Sequence, residues 1–173
     1  MVTIRKAALS DAERIAQIHV EAWRAAYHDF IPADFPNNKA KLESRREFWN
    51  ERLTKEEEIH YVAENDGEIV GFFSIDQTRD ADLSEKTYEL IAIYFDAAYW
   101  HKGCGSQAMH FIIAQAKLRG YLRISLWVLE QNTAAIQFYK KFGFQFDGKT
   151  NVLPLGKPVT ECRYQLELTE KSI

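Results

Sequence analysis

Cysteine is scarce in this chain, positive charge is not in excess, and no long apolar run occurs. The only two cysteines, Cys104 and Cys162, lie far apart and without metal-ligand spacing, so no metal cofactor is expected. No charged start followed by an apolar run marks an export signal, and a reducing cytoplasm is the expected compartment. No stretch approaches the ~20 apolar residues needed to span a bilayer. The net charge of -3 gives no general attraction to nucleic acid, so neither a membrane nor a nucleic acid is expected as partner. Repeats and low-complexity tails are missing too. Two phosphate signatures are incomplete: no Lys-Ser/Thr pair follows Gly105, as a nucleoside-triphosphate loop needs, and the third glycine of a dinucleotide fingerprint is absent.

What the chain does have is 173 residues with 46% hydrophobic and 13% aromatic content, enough for one well-filled core, and a single domain over 1–173 is expected. TIRKAA (3–8) reads as a short strand. Ser10 and Glu13 stand at capping-box spacing, which predicts a helix from near Asp11 with Ile15, Ile18, Ala22, Ala25 and Ala26 on its buried face. KAKLESRREFWNERL (39–53) repeats the helical pattern, and KEEE (55–58) reads as its solvated end. IHYVAE (59–64), Asp66-Gly67 and EIVGFFSID (68–76) have the form of an antiparallel hairpin. After a polar loop, YELIAIYF (88–95) is apolar on both faces, as a central strand should be. SQAMHFIIAQAKLRG (106–120) is a helix stopped by Gly120, RISLWVL (123–129) a buried strand, NTAAIQFYKKFGF (132–144) a helix ending at Gly143, and TECRYQLEL (160–168) a closing strand.

Between the strand at 88–95 and the following helix stands YWHKGCGSQAM (99–109). Backbone N–H groups at a turn into a helix, with the positive end of the helix dipole behind them, form a site for a pyrophosphate, and glycine lets the ligand approach the main chain closely. Gly103 and Gly105 supply that access, while His101 and Lys102 could add side-chain contacts. Taken alone, the two glycines could equally serve only to turn the chain.

Two stretches together resemble the GNAT superfamily of acyl-coenzyme A dependent N-acetyltransferases. LIAIYFDAAYWHKGCGSQAM (90–109) is similar to that family's strand, turn, Q/R-x-x-G-x-G/A and helix, and LWVLEQNTAAIQFYKKFGF (126–144) to its strand, Asn, helix, Tyr and Gly-Phe ending, with Asn132, Ala135, Tyr139, Gly143 and Phe144 in register. Trp100 departs from the pattern where the family carries Gln or Arg, which removes a side-chain contact to phosphate and leaves the main-chain cradle. The resemblance implies an α/β (α+β) fold: a central mixed, mostly antiparallel twisted sheet of about seven strands, flanked by helices, with a splayed strand pair forming the acyl-coenzyme A cleft.

It also implies roles. Acetyl-CoA would be cosubstrate. Ile93, Tyr94 and Phe95 would bind its pantetheine arm through their backbone, with the Ile93 N–H polarising the thioester carbonyl. His101 to Ser106, including Cys104 and Gly105, would cradle the pyrophosphate, and Asn132 would fix the pantetheine or simply cap its helix. Tyr139 would protonate the leaving thiolate, since a phenol of pKa ~10 suits a thiol of pKa ~8.5; the alternative is an aromatic core residue beside Phe138 and Phe142. Glu89 would take the proton of the amine through water, from ~13 Å along the strand, or would be a solvated residue at the strand start. Tyr27, His28 and His60 are further candidates for that base. Trp23, Tyr27 and Phe30 would line the acceptor pocket, and Asp76, Asp80 and Asp82 would favour a cationic amine if their loop approaches it. The expected acceptor is a primary amine of a small molecule or peptide, attacked directly in a ternary complex. The alternative is a non-catalytic acyl-CoA-binding sensor or interaction module, which needs the cradle but not Tyr139 or a base. A homodimer is left open.

Overall fold

The computed structural model describes residues 2–27, 41–55 and 58–168. Among these are seven strands and four α-helices: β1 (Thr3–Lys6), α1 (Ala12–Tyr27), α2 (Leu42–Lys55), β2 (Ile59–Asn65), β3 (Glu68–Gln77), β4 (Thr87–Phe95), α3 (Cys104–Leu118), β5 (Arg123–Leu129), α4 (Thr133–Lys141), β6 (Gln145–Leu155) and β7 (Lys157–Glu167). The strands form one mixed sheet in the order β1-β2-β3-β4-β5-β7-β6, with β4 and β5 parallel and the β1–β2, β2–β3, β5–β7 and β6–β7 pairs antiparallel. The ladder between β4 and β5 runs from Thr87↔Arg123 to Glu89↔Ser125 and stops there. By compactness the chain divides into two units, Met1–Ile75 with Ala92–Ala108 and Asp76–Ile91 with Met109–Ile173.

In the first unit, Ala12, Ile15, Ala16 and Ile18 of α1 are buried with Trp49, Val62 and Phe72 in one core cluster. Among them Ile15, Ile18, Val62 and Phe72 gain about 1.5–3 kcal/mol each on full burial. Ser10 does not cap α1, contrary to the capping-box reading. A 3₁₀ turn, Leu9–Asp11, precedes the helix, and Asp11 Oδ2 accepts from the Ala8 N–H at 2.8 Å while the same carboxylate takes two donors of Arg5. The Asp66-Gly67 hairpin turn is present, both residues lying left-handed at φ 53 and 83 as a two-residue primed turn requires.

In the second unit, Tyr88, Leu90, Met109, Ile112, Ile124, Leu126 and Phe144 are buried. Gly120 and Gly143, at φ 78 and 93, end α3 and α4, and the Phe144 N–H returns to the Tyr139 carbonyl at 3.3 Å. The sequence reading left 145–155 without a strand. Gln145 to Val152 of β6 are all exposed, so this end strand of the sheet carries no buried alternation that could announce it.

Candidate active site

β4 leads into the turn that opens α3, and two acidic and basic side chains fix that connection. Asp96 donates its N–H to the Val70 carbonyl at 2.9 Å, accepts the Ala98 N–H on Oδ1 at 3.0 Å and binds Arg14 Nη2 at 2.8 Å. Arg14 Nε in turn donates to the Ile69 carbonyl at 3.0 Å. Burial pushes the Asp96 carboxyl up, but the Ala98 N–H and the Arg14 guanidinium more than offset it and hold the group below its ordinary value. Beyond the short 3₁₀ turn Ala97–Tyr99, His101 and Gly103 are left-handed at φ 59 and 84.

The Gly103 carbonyl accepts the Gln107 N–H at 3.1 Å, so α3 starts at Cys104, two residues earlier than the sequence reading placed it. Gly105 therefore sits inside the first helical turn. The N–H groups of Cys104, Gly105 and Ser106 are among the first of the helix, which no residue within it can accept, and they carry the positive end of its dipole. Cys104 is buried, so it offers its N–H and not its thiol, whereas His101 and Lys102 are exposed. Lys102 Nζ lies 5.3 Å from the centre of the Tyr99 ring. On β4, Ile93 and Tyr94 are half-buried; the Tyr94 ring packs against His19 and Phe72, with centroids 4.8 and 5.6 Å away.

In the second unit, Glu89 is 2% exposed, not solvated. Its Oε2 accepts from the Arg79 backbone N–H at 2.9 Å and from Nε at 3.2 Å, and its Oε1 from Nη2 at 2.6 Å. Asn132 caps α4, Oδ1 accepting from the Ala135 N–H at 3.2 Å, which leaves its amide N–H₂ as a donor. Tyr139 is 8% exposed, and its ring meets Phe138 edge-on at 5.5 Å and Phe144 at 5.8 Å. The packing expected of a core aromatic is present, with Phe144 in the place foreseen for Phe142.

Other expected residues are set differently. Asp80 and Asp82 are held by Arg163, at 3.1 and 2.8 Å, and Asp80 also accepts from Trp127 Nε1 at 3.0 Å. Arg163 offsets part of their charge within the fold, a role the sequence reading did not give them. Asp76 accepts the Gln77 N–H. His60 is buried, with Nδ1 2.8 Å from Ser74 Oγ and its ring edge-on to Trp49. Trp23 is buried on α1; Tyr27 is that helix's last residue, and His28 and Phe30 lie outside the described residues. Among the described residues no group of three or more His, Cys, Asp or Glu side chains could hold a metal ion, and no helix is long and apolar enough to cross a membrane. The Arg14–Asp96 and Arg79–Glu89 links escaped the sequence reading, since pairs so far apart along the chain leave no local spacing signal.

The sequence matches the model of the acetyltransferase (GNAT) family over residues 13–144. It is 32% identical over 148 residues to the uncharacterized N-acetyltransferase YuaI of Bacillus subtilis, covering 82% of this chain and 79% of YuaI. It is 30% identical over 151 residues to the L-amino acid N-acetyltransferase AaaT of Escherichia coli, covering 85% of each. The fold is similar to that of the PaiA N-acetyltransferase of Thermoplasma acidophilum in complex with coenzyme A, with a TM-score of 0.76, 19% identity, and 96% and 99% of the two chains covered.

Proposed function

We propose a reaction for this chain, which belongs to the GNAT family of acetyltransferases and is an acyltransferase dependent on acetyl-CoA: direct transfer of the acetyl group to a primary amine of a small molecule or peptide. The observation that carries the reading is β4, whose ladder with β5 ends at Glu89 and which runs on through Ile93 to Phe95 into the left-handed turn capping α3. The family model spans residues of both units, which supports one catalytic domain over 1–173.

In this reading the main chain of Ile93, Tyr94 and Phe95 pairs with the pantetheine arm as a strand would, and the Ile93 N–H stabilises the oxyanion. The N–H groups of Gly103 to Ser106 take the pyrophosphate, with His101 and Lys102 flanking them. Asn132 turns its amide to the pantetheine while its oxygen caps α4. Tyr139 gives its phenolic proton to the departing thiolate. Glu89 receives the ammonium proton through water once Arg79, whose side chain is 60% exposed, lets go. Trp23, Tyr27 and Phe30 belong to the acceptor side. An amino acid is the first acceptor to try, on the likeness to AaaT. Both cysteines are free and buried, which suits a reducing cytoplasm.

The test is release of free thiol from acetyl-CoA across a panel of amino acids, polyamines and peptide N-termini. Amine-dependent release supports transfer; tight acetyl-CoA binding with no release for any amine would favour the sensor reading instead.

A further inference from the structure

The structure assigns Trp100 as a positioning residue for the cofactor: its indole N–H holds the carbonyl of Phe95 and so pre-forms the turn between β4 and the pyrophosphate-binding end of α3. This rests on the acetyl-CoA reading above.

The geometry is specific. Asp96 donates its N–H to the Val70 carbonyl of β3, and in a trans peptide the preceding carbonyl points the opposite way, so the Phe95 oxygen faces away from β3. On that other side the ladder of β4 covers only Thr87 to Glu89. A carbonyl at the end of such a strand needs a donor, and Trp100 Nε1 supplies it at 2.8 Å. The bond spans five residues and closes a loop whose other fastenings are Asp96 with Ala98 and Trp100 N–H with the Ala97 carbonyl at 3.2 Å. Immediately after it come the two left-handed residues, His101 and Gly103, that aim the α3 N–H groups.

Phe95 is a firm point to fasten to. It is 8% exposed, and its ring occupies the space a Cβ on Gly71 would fill, against the β3 backbone. Trp100 itself is 38% exposed, so much of its ring is covered, and the N–H contact is the part of its role that an apolar ring cannot supply. Where the related pattern places a side chain that reaches the phosphate, this chain places one that holds the cradle's shape. Affinity gained through a pre-formed cradle comes from ordering cost removed before binding, and it acts only on the part of the ligand the cradle touches.

Two measurements test this. In the cofactor-free protein labelled with ¹⁵N, the Trp100 indole N–H, assigned through its own backbone, should exchange with water at least about tenfold more slowly than a free indole, although the ring is exposed. In Trp100→Phe, which keeps a ring and deletes the donor, the Kd for acetyl-CoA should rise about fivefold or more. The Kd for S-acetylpantetheine, which lacks the pyrophosphate, should stay within about twofold, as should kcat at saturation. An unprotected indole, an unchanged acetyl-CoA affinity in folded Trp100→Phe, or equal losses for both ligands would overturn the assignment. If the variant does not fold, the exchange rate in the unmodified protein decides. A protected indole in a protein with no affinity for acetyl-CoA would instead remove the cofactor reading and leave the brace standing.

Discussion

A Tyr139→Phe change keeps the ring against Phe138 and Phe144 and deletes only the hydroxyl, so binding and chemistry separate at this residue. A general acid contributes ~10²–10⁴-fold, and water can partly replace it, so kcat should fall by about 10²-fold while the acceptor KM and the melting temperature change little. A kcat within about twofold of the parent in steady-state thiol release removes Tyr139 as the acid. Glu89 asks for a different design, because the same carboxylate anchors Arg79 through both oxygens. If Glu89 is the base, Glu89→Gln should lose most of its kcat/KM, whereas Arg79→Met should keep the rate and lose stability alone. Equal loss of rate in both variants would show that Glu89 serves only as an anchor.

At the scale of elements, the end of β4 is held by close approach to β3 and the start of α3 by a backbone conformation. A Cβ at Gly71 would overlap Cδ1 of Phe95, so Gly71→Ala should displace that ring, costing about 1–3 kcal/mol by overpacking and weakening acetyl-CoA binding. Denaturant titration and calorimetry check the two effects, and a variant unchanged in both would show that β4 accommodates the methyl freely. Gly103 has open space around its Cα but stands at φ 84, a region β-branched residues avoid. Gly103→Val should therefore disturb the turn through its backbone and raise the Kd for acetyl-CoA more than tenfold, a loss above ~1.4 kcal/mol. Unchanged affinity in the folded variant would sink the cradle.

Across the whole molecule, carboxylates held by arginines tie stability to pH. Arg5 holds Asp11 below its ordinary value and Arg163 does so for Asp82; at Asp147 burial pushes upward but the Lys149 N–H, Arg163 and Gln165 prevail, and the group also lies low. Groups lowered in the folded state contribute stability that is complete above the unfolded carboxylate value of about 4 and is lost as pH falls through the folded values. Arg163 is central to this, with its side chain 5% exposed among Asp80, Asp82 and Asp147 and stacked over Trp127. Arg163→Met should lower the urea midpoint at pH 7, and the gap to the parent should narrow as the pH is taken down to about 3. A gap independent of pH would show that Arg163 acts by packing alone.

The order of strands and helices apart from β6, the Asp66-Gly67 hairpin, the glycine turn before α3 and the helix bearing Tyr139 were legible in the sequence, because each is written in local spacing: period two, period three to four, and glycine where φ is positive. Local signals do not reach further. That Asp80 and Asp82 serve Arg163, that Glu89 is buried against Arg79, that Asp11 fastens the turn before α1 to Arg5, and that Trp100 closes on Phe95 depended on which side chains the fold brings together. β6 escaped for the complementary reason: an end strand exposed from Gln145 to Val152 takes its conformation from pairing with β7, a partner that its own residues do not specify.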